Sequence, residues 1–570
     1  MKIWISAITP SGHLHGCFDK KDMKPAYRLL LPGALLLAAL AASADQSPSD
    51  RALVEAAQNA RVAVMERAAR SVVCIFEDEA RGGGGSGVVI DQEGFGLTNY
   101  HVVAGFVESR RGFGGMNDGV LYPLTVVALD PGGDIALFKL EGKEKFDFAT
   151  LGDSEQLHVG QWVAAMGNPF VLAEDFSPTI TLGVISGLHR YQEGQENALE
   201  YADCIQVSTS INPGNSGGPL FDLAGRVIGI NGRASFEERG RVNVGLGYAI
   251  SINQVRRFLP CLYAGQLCAH GTLGATVQQA GATVIFNQIQ DAAPADDAGV
   301  MLSDELVRIG DRSVRTPNEF NNILAILPAE WPVELTLHRD GRELTTTARL
   351  ERLPLKLPKP WVVDWTYNLS QCRRIWGRML YGMRIPPTGL ASVQIDGALT
   401  ENSESDVTRE CSVAVFGAGS HATVSLGGEP LAIALSNLSD DARESAANSK
   451  RVWAEWLALI RPLVAPPEIG IGWEVRGGDE IDGRIVWVVE QRGVERVRVR
   501  WLIDFETHEL RGGVITDDKG AEQARWRVGE NQQARESRLP AVWERVAGER
   551  RWRLRIKQAT VGASASGDGK

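Results

Sequence analysis

Three side chains in the first half of the chain have the types and the order needed for nucleophilic catalysis. Ser216 lies in the glycine-rich loop Ile211–Leu220, where small residues let backbone N–H groups turn toward one point. His101 lies near the end of a predicted strand, and Asp134 follows the turn at residues 130–133. Each alone has an ordinary structural explanation: a glycine turn, a structural histidine or a turn aspartate. Together they predict a nucleophile, a general base and a carboxylate that orients the base.

Short β-strands must position these residues. Residues 85–90, 96–103 and 135–140 have strand patterns separated by glycine turns, and short apolar runs punctuated by glycine continue to residue 258. We therefore expect a mainly β fold over residues 71–260.

The sequences of these segments resemble motifs of the HtrA family of serine proteases. The matching motifs are Gly85–Ile90, Thr98–Val103, Gly167–Phe170 and Ile211–Leu220. The resemblance covers roughly residues 60–350 and implies a two-barrel chymotrypsin-like domain at residues 71–260. It implies that Ser216 attacks a peptide carbonyl, that His101 is the base and that Asp134 orients it. The backbone N–H groups of Gly214 and Ser216 would form the oxyanion hole, and no cofactor is expected.

The same resemblance implies specificity and partners. Ser210, at the base of the substrate pocket, and the adjacent Ile211 offer no carboxylate to a basic side chain, so we expect cleavage after small or medium apolar residues. Residues 208–210 read Ser-Thr-Ser where the family often has Asp-Ala-Ala, which affects specificity and loop activation rather than the triad. The family also implies unfolded or misfolded protein substrates, a role in protein quality control and a trimer-based homo-oligomer.

Residues 267–352 resemble a PDZ domain of the kind found in such proteases. A loop at Leu273, Gly274 and Ala275, a helix beginning after Thr316 and an alternating strand at residues 334–342 carry the resemblance. It implies capture of peptide C-termini by backbone N–H groups beside an added strand. A tether with a degenerate groove is the other interpretation.

Composition limits the class of protein. A chain of 570 residues should contain several domains, and its net charge of −11 gives no basic footprint for nucleic acid. Residues 23–44 have the basic, apolar and small-residue pattern of a signal peptide, which predicts a non-mature N-terminus over residues 1–44, export to the periplasm or medium, and no stable membrane span. An alanine-rich helix is expected at residues 45–70; it packs either on its own domain or on a partner.

Cysteine spacing gives no metal motif. Cys261, Cys268 and His270 lie close together but lack a CxxC spacing and a fourth ligand. Two interpretations stay open for the cysteines: a local disulfide between Cys261 and Cys268, which an exported chain allows, or plain buried thiols.

Residues 361–570 form a further α+β region of unknown role. Eleven of the fourteen tryptophans lie here, a helix is expected at residues 446–463, and alternating segments over residues 470–565 predict a twisted antiparallel sheet. The sheet resembles the half-barrels of lipoprotein-carrier proteins. We expect the tryptophans in its core rather than on a nucleic-acid surface. For the whole chain, the alternative to an endopeptidase is a chaperone-like, peptide-binding scaffold with little proteolysis.

Overall fold

The computed structural model describes residues 2–9, 12–19, 48–79, 84–168, 175–192, 201–236, 243–355, 360–385, 392–402, 407–416, 421–426, 429–434, 449–464, 469–470, 472–492, 497–517, 520–529, 531–534, 537–547 and 550–562. It forms two compact units, Met1–Glu66 and Arg67–Lys570. The predicted signal segment at residues 23–44 lies outside the described residues. Within the described ranges, no helix combines the length and the apolar character that a bilayer span requires.

The first unit contains a hairpin and most of one helix. Strands β1 (Lys2–Thr9) and β2 (Gly12–Asp19) pair antiparallel. Helix α1 (Pro48–Ala69) falls within the predicted helical segment 45–70 and begins with an acidic residue in its first turn, where a negative charge complements the helix dipole.

The second unit begins with a closed six-stranded barrel. Its strands, in the order β3-β4-β5-β8-β7-β6 around the barrel, are β3 (Val72–Phe76), β4 (Gly85–Val89), β5 (Phe95–Thr98), β6 (Arg111–Met116), β7 (Leu121–Asp130) and β8 (Ile135–Leu140). The short helix α2 (Tyr100–Val103) follows β5. Glycine makes room for the core: a Cβ at Gly96 would lie 2.2 Å from the buried ring of Phe138.

A second closed barrel follows. Its order is β10-β11-β14-β13-β12-β9, with β9 (Trp162–Gly167), β10 (Thr179–Gln192), β11 (Tyr201–Val207), β12 (Pro219–Asp222), β13 (Val227–Phe236) and β14 (Asn243–Ser251). Helix α3 (Ile252–Tyr263) then packs its buried apolar face against β7, β8, β13 and β14 and so joins the two barrels. The predicted disulfide joins Cys261, in the last turn of this helix, to Cys268 beyond its end.

A smaller sheet comes next. Its elements are β15 (Gly271–Thr272), β16 (Ala275–Ala280), β17 (Thr283–Ile289), α4 (Pro294–Asp297), β18 (Glu305–Ile309), β19 (Arg312–Ser313), α5 (Pro317–Leu324), β20 (Pro332–Arg339), β21 (Arg342–Arg349) and β22 (Glu351–Arg352). The main sheet has the order β16-β17-β18-β20-β21, so β16 is an edge strand. Thr316 caps α5 as predicted, because its hydroxyl accepts the Glu319 N–H at 3.2 Å.

The described residues after this sheet form one large antiparallel sheet, a separate two-stranded hairpin and two helices. The elements are α6 (Trp365–Gly382), β23 (Ser392–Asn402), β24 (Val407–Phe416), β25 (His421–Leu426), β26 (Glu429–Ala434), α7 (Ser449–Val464), β27 (Trp473–Ile481), β28 (Arg484–Arg492), β29 (Val497–Asp504), β30 (Leu510–Asp517), β31 (Glu522–Val528), β32 (Asn531–Ala534), β33 (Ser537–Pro540), β34 (Val542–Ala547) and β35 (Arg550–Gly562). Eleven strands pair in the order β26-β25-β24-β23-β35-β34-β31-β30-β29-β28-β27, while β32 and β33 pair separately.

The core of this sheet is built on tryptophan, as the sequence predicted. Trp453 and Trp456 from α7 and Trp526 and Trp543 from the sheet are each at most 1% exposed. A fully buried ion pair lies among them: Arg545 donates to both carboxylate oxygens of Glu455, at 2.6 and 2.9 Å. The sheet starts earlier than predicted, because β23–β26 also belong to it. The described residues are therefore mainly β, and their largest units are the two barrels, the smaller sheet after them and the eleven-stranded sheet.

Candidate active site

Asp134 is the most enclosed of the three predicted catalytic residues. It lies in the turn between β7 and β8, has a φ of 54° and is 0% exposed. Its Oδ2 accepts hydrogen bonds from His101 Nδ1 at 2.8 Å and from the Tyr201 hydroxyl at 2.6 Å, and its Oδ1 accepts the His101 N–H at 3.0 Å. Its backbone carbonyl accepts the Asn99 side-chain amide at 2.9 Å. A buried carboxylate requires such donors, and here they fix its orientation.

His101 occupies the helical turn α2, directly after β5. Because Asp134 is an acceptor, its contact assigns the hydrogen to Nδ1 and leaves Nε2 unprotonated in the neutral ring. Burial lowers the pKa of His101, but the hydrogen bond and the negative charge of Asp134 outweigh it, and the net pKa is raised above its ordinary value. The histidine therefore has the tautomer and the basicity of a general base.

Ser216 reaches this site from the other barrel. A Cβ at Gly217 would meet Thr98 Oγ1 and the Ser86 carbonyl at 2.2 Å, so the loop lies directly on the end of β5. The Ser216 hydroxyl donates to the Gly232 carbonyl at 3.0 Å. In the described part of the chain no hydrogen bond joins Ser216 to His101. Catalytic hydrogen bonds often form only in the substrate complex, and a rotation about the serine side chain would redirect this hydroxyl.

The loop that carries Ser216 contains the two amide groups that were predicted to bind an oxyanion. Gly214 has a φ of 102°, a conformation that favours glycine. Across the described residues, neither the Gly214 N–H nor the Ser216 N–H donates to a backbone acceptor, whereas the N–H groups of Asn215 and Gly217 do. The two predicted donors thus remain available for an external oxygen.

Ser86 holds this loop from beneath. Its hydroxyl donates to the Gly214 carbonyl at 2.6 Å and accepts the Asn168 N–H at 2.9 Å, and its own N–H donates to the Ser216 carbonyl at 2.8 Å. Ser86 is 0% exposed. Sequence reasoning placed it in a strand and gave it no role at the site.

Two models of known protein families match separate parts of residues 71–352. Residues 85–230 match the model of a trypsin-like peptidase domain, and residues 271–350 match that of a PDZ domain. The chain contains a trypsin-like peptidase domain and a PDZ domain. The two matches confirm the fold that the resemblance implied.

The chain is also similar to curated proteins named as periplasmic serine endoproteases. A probable periplasmic serine endoprotease DegP-like of Chlamydia trachomatis serovar D is 31% identical over 284 residues, which cover 47% of this chain and 54% of the relative. One of Rickettsia prowazekii, with the same name, is 32% identical over 286 residues, covering 48% and 52%. The chain thus spans about half the length of the curated relatives it matches. A solved structure described as "HtrA-type protease AlgW with tripeptide" is 29% identical, with a TM-score of 0.43, and covers 52% of this chain and 98% of its own.

The predicted substrate pocket of the peptidase domain has one exposed and one buried member. Ser210 is exposed, and its carbonyl accepts the side-chain amide of Asn215 at 3.3 Å. Ile211 is 1% exposed and belongs to the apolar core of the second barrel. It rests on β14, where a Cβ at Gly247 would come within 2.8 Å of its side chain. Neither residue brings a charge to the pocket.

The predicted carboxylate loop of the PDZ domain is only partly free. Leu273 is 0% exposed and its carbonyl accepts the Ala295 N–H at 3.0 Å. Gly274 has a φ of 64°, and its N–H already donates to the Thr272 hydroxyl at 3.1 Å. Ala275 begins the edge strand β16, and helix α5 lies against that strand. An edge strand beside a helix is the setting in which a peptide adds to a PDZ sheet.

Sequence reasoning also missed Tyr201 and a second histidine–aspartate pair. Tyr201 begins β11, lies 67 positions from Asp134, and no local pattern marks it. His189 Nδ1 lies 2.7 Å from Asp203 Oδ1 at the boundary between the peptidase and PDZ domains. Motifs with short spacing reveal neighbours along the chain, whereas these two contacts join residues 67 and 14 positions apart.

Proposed function

We propose that this chain is a serine endopeptidase with the triad His101, Asp134 and Ser216. The observation that carries the proposal is the buried Asp134 carboxylate bonded to His101 Nδ1 at 2.8 Å, beside a loop that carries Ser216 and two unused N–H groups. The peptidase-domain match and the DegP-like relatives support the same conclusion.

The reaction follows from the positions of these atoms. Ser216 Oγ attacks the scissile carbonyl while His101 Nε2 takes its proton. Asp134 stabilises the imidazolium that forms, and the Gly214 and Ser216 N–H groups bind the developing oxyanion. His101 then protonates the leaving amine, and water repeats the sequence to release the acyl group from Ser216.

The substrates are proposed to be unfolded or misfolded proteins, cleaved after small or medium apolar residues. The uncharged Ser210 and Ile211 support the apolar preference. The PDZ domain is proposed to bind peptide C-termini along β16, with contacts from the loop Leu273, Gly274 and Ala275. A labelled peptide with a free apolar C-terminus should then bind more tightly than its amidated twin, and equal anisotropy titrations would contradict this groove.

The location and organisation are proposals of the same kind. The signal-like segment at residues 23–44 and the periplasmic relatives support export. We propose domains at residues 71–260, 267–352 and 361–570 after an N-terminal helix at 45–70, and a trimer-based homo-oligomer. The mass of the protein in solution tests the oligomer directly.

The decisive experiment compares the chain with its Ser216→Ala variant. We expect the chain to digest casein and to be labelled by a fluorophosphonate probe, and the variant to do neither. Digestion that survives the substitution in a clean preparation rules out this triad. Absence of both activities in the unaltered chain, with casein aggregation suppressed, favours the chaperone-like scaffold instead.

A further inference from the structure

Tyr201 forms a hydrogen bond between the two barrels at the triad. Its hydroxyl donates to Asp134 Oδ2 at 2.6 Å, and its side chain is buried, with the residue 4% exposed. Asp134 belongs to the first barrel, whereas Tyr201 begins strand β11 of the second. The contact therefore fixes one barrel relative to the other at the position of the orienting carboxylate.

The same carboxylate oxygen also accepts from the histidine. Asp134 Oδ2 receives both His101 Nδ1 and the Tyr201 hydroxyl, while Oδ1 receives the His101 backbone N–H. A carboxylate can only accept, so the tyrosine withdraws part of the negative charge that the imidazole faces. It also limits rotation of the carboxylate about its own side chain.

The tyrosine ring also lies against the strand whose backbone holds Ser216. A Cβ at Gly232 would lie 2.6 Å from Tyr201 Cε1, so glycine alone lets the ring approach this strand. The Gly232 carbonyl accepts the Ser216 hydroxyl at 3.0 Å. One side chain thus contacts the carboxylate and the backbone that holds the serine.

The strand that carries Tyr201 is anchored by the PDZ domain. Ala202 packs into the apolar core of that domain. Asp203 accepts from Arg312 at 2.7 Å, and its N–H donates to the side chain of Asn322 at 2.6 Å. The two residues after Tyr201 are therefore held from outside the peptidase domain, which fixes the point at which the tyrosine enters the cleft.

We propose that Tyr201 is a positioning residue of the peptidase site, holding the Asp134 carboxylate toward His101 and moderating its charge. The inference rests on the proposed function for its kinetic consequences. It concerns the histidine–aspartate pair itself, however, and is measurable on that pair without catalysis.

The kinetic test is the Tyr201→Phe variant, which keeps the ring over Gly232 and removes the hydroxyl. Tyr122→Phe is the matched control, since Tyr122 donates to Asp118 at 2.8 Å in the first barrel, away from the triad. We expect Tyr201→Phe to lower kcat by about 10- to 100-fold, the range for a hydrogen bond to a charged group, with KM little changed. The acid limb of kcat/KM should move to higher pH, because the full carboxylate charge then stabilises the imidazolium. Tyr122→Phe should show neither effect.

The spectroscopic test needs no turnover. In protein whose histidines are labelled with ¹⁵N, two quantities are measured by NMR: the chemical shift of the His101 Nδ1–H group and the pH midpoint at which the His101 ring titrates. Both should change in Tyr201→Phe and stay unchanged in Tyr122→Phe. An unchanged resonance and titration in a folded Tyr201→Phe protein overturns the proposal. If that variant does not fold, 3-fluorotyrosine at position 201 keeps ring and donor, and an unchanged titration there has the same meaning. An inactive parent chain with a shifted resonance would refute the endopeptidase but keep the role of Tyr201.

Discussion

His101–Asp134 and His189–Asp203 are two histidine–aspartate pairs with almost the same geometry. The Nδ1–carboxylate distances are 2.8 and 2.7 Å, both aspartates are at most 2% exposed, and both have a positive φ, 54° and 51°. In both pairs the pKa of the histidine is raised. Distance and burial alone therefore do not distinguish a catalytic pair from a structural one.

The two aspartates differ in the charge of their other partners. Asp134 is met, apart from His101, by neutral donors, of which the Tyr201 hydroxyl is the nearest. Asp203 is also bound by the Arg312 guanidinium at 2.7 Å and by the Ser251 hydroxyl at 3.1 Å. A carboxylate already neutralised by an arginine has less charge left to stabilise an imidazolium. The first pair is suited to proton transfer, and the second to joining two domains.

Replacing each histidine by alanine should separate the pairs most widely. His101→Ala removes the base and should lower kcat by about 10⁶-fold, as loss of such a base does in other triads. His189→Ala removes one hydrogen bond at a domain boundary and should leave kcat within about threefold, well under 1 kcal/mol. Rates of labelled-casein hydrolysis measure both. Comparable losses in the two variants would mean that the boundary pair takes part in the chemistry.

Replacing each aspartate by asparagine should give effects of different kinds. Asp134→Asn leaves the histidine without its orienting anion and should lower kcat by about 10⁴-fold. Asp203→Asn removes one of the two carboxylate partners of the largely buried Arg312, which keeps its bond to Glu155 at 2.6 Å, so the loss of stability should stay below the about 3–5 kcal/mol typical of a fully broken buried ion pair. Urea unfolding measures this second effect. A large loss of rate without loss of stability in Asp203→Asn would reverse the two assignments.

The contrast between the pairs also shows what could be predicted from the sequence. His101, Asp134 and Ser216 could be predicted as a triad because each lies in a short motif of characteristic residues. Tyr201 and Ser86 were missed because their site contacts span 67 and 128 positions. A hydrogen bond between distant segments depends on how the barrels close, and no local pattern records it.

The C-terminal sheet shows the same limit on a larger scale. Its tryptophan core and its later strands were predicted from alternation. Its pairing of β23 with β35 was not, since Ser392–Asn402 and Arg550–Gly562 are separated by most of the domain. Alternation identifies a strand and its buried face, whereas strand order depends on nonlocal packing.

The loop that carries Ser216, beside the His101–Asp134 pair, should depend on Ser86 for its shape. Ser86→Ala removes the 2.6 Å hydrogen bond to the Gly214 carbonyl and should lower kcat by about fivefold, near 1 kcal/mol for a neutral hydrogen bond. Ser71→Ala is the matched control, because that buried hydroxyl also donates to a backbone carbonyl, at 2.7 Å, and lies outside the site. Equal activity in the two variants would show that the loop holds its shape without Ser86.

The smallest expected effect is on the pH dependence of kcat/KM. It tests which histidine's titration controls the rate. The pKa of His101 is raised, so the acid limb of kcat/KM should lie above about pH 6.5, the ordinary value for histidine. His189→Gln should leave that limb in place.

The raised pKa of His189 has a different consequence: its stabilisation of the fold is complete below about pH 6.5 and is lost as the pH rises through the folded value. Asp203 acts in the opposite direction. Burial raises its pKa, but the bond from His189 and the charge of Arg312 lower it to about 2, so its stabilisation is lost only as the pH falls from about 4 toward 2. A limb that moves in His189→Gln would show that the two pairs are coupled through β11.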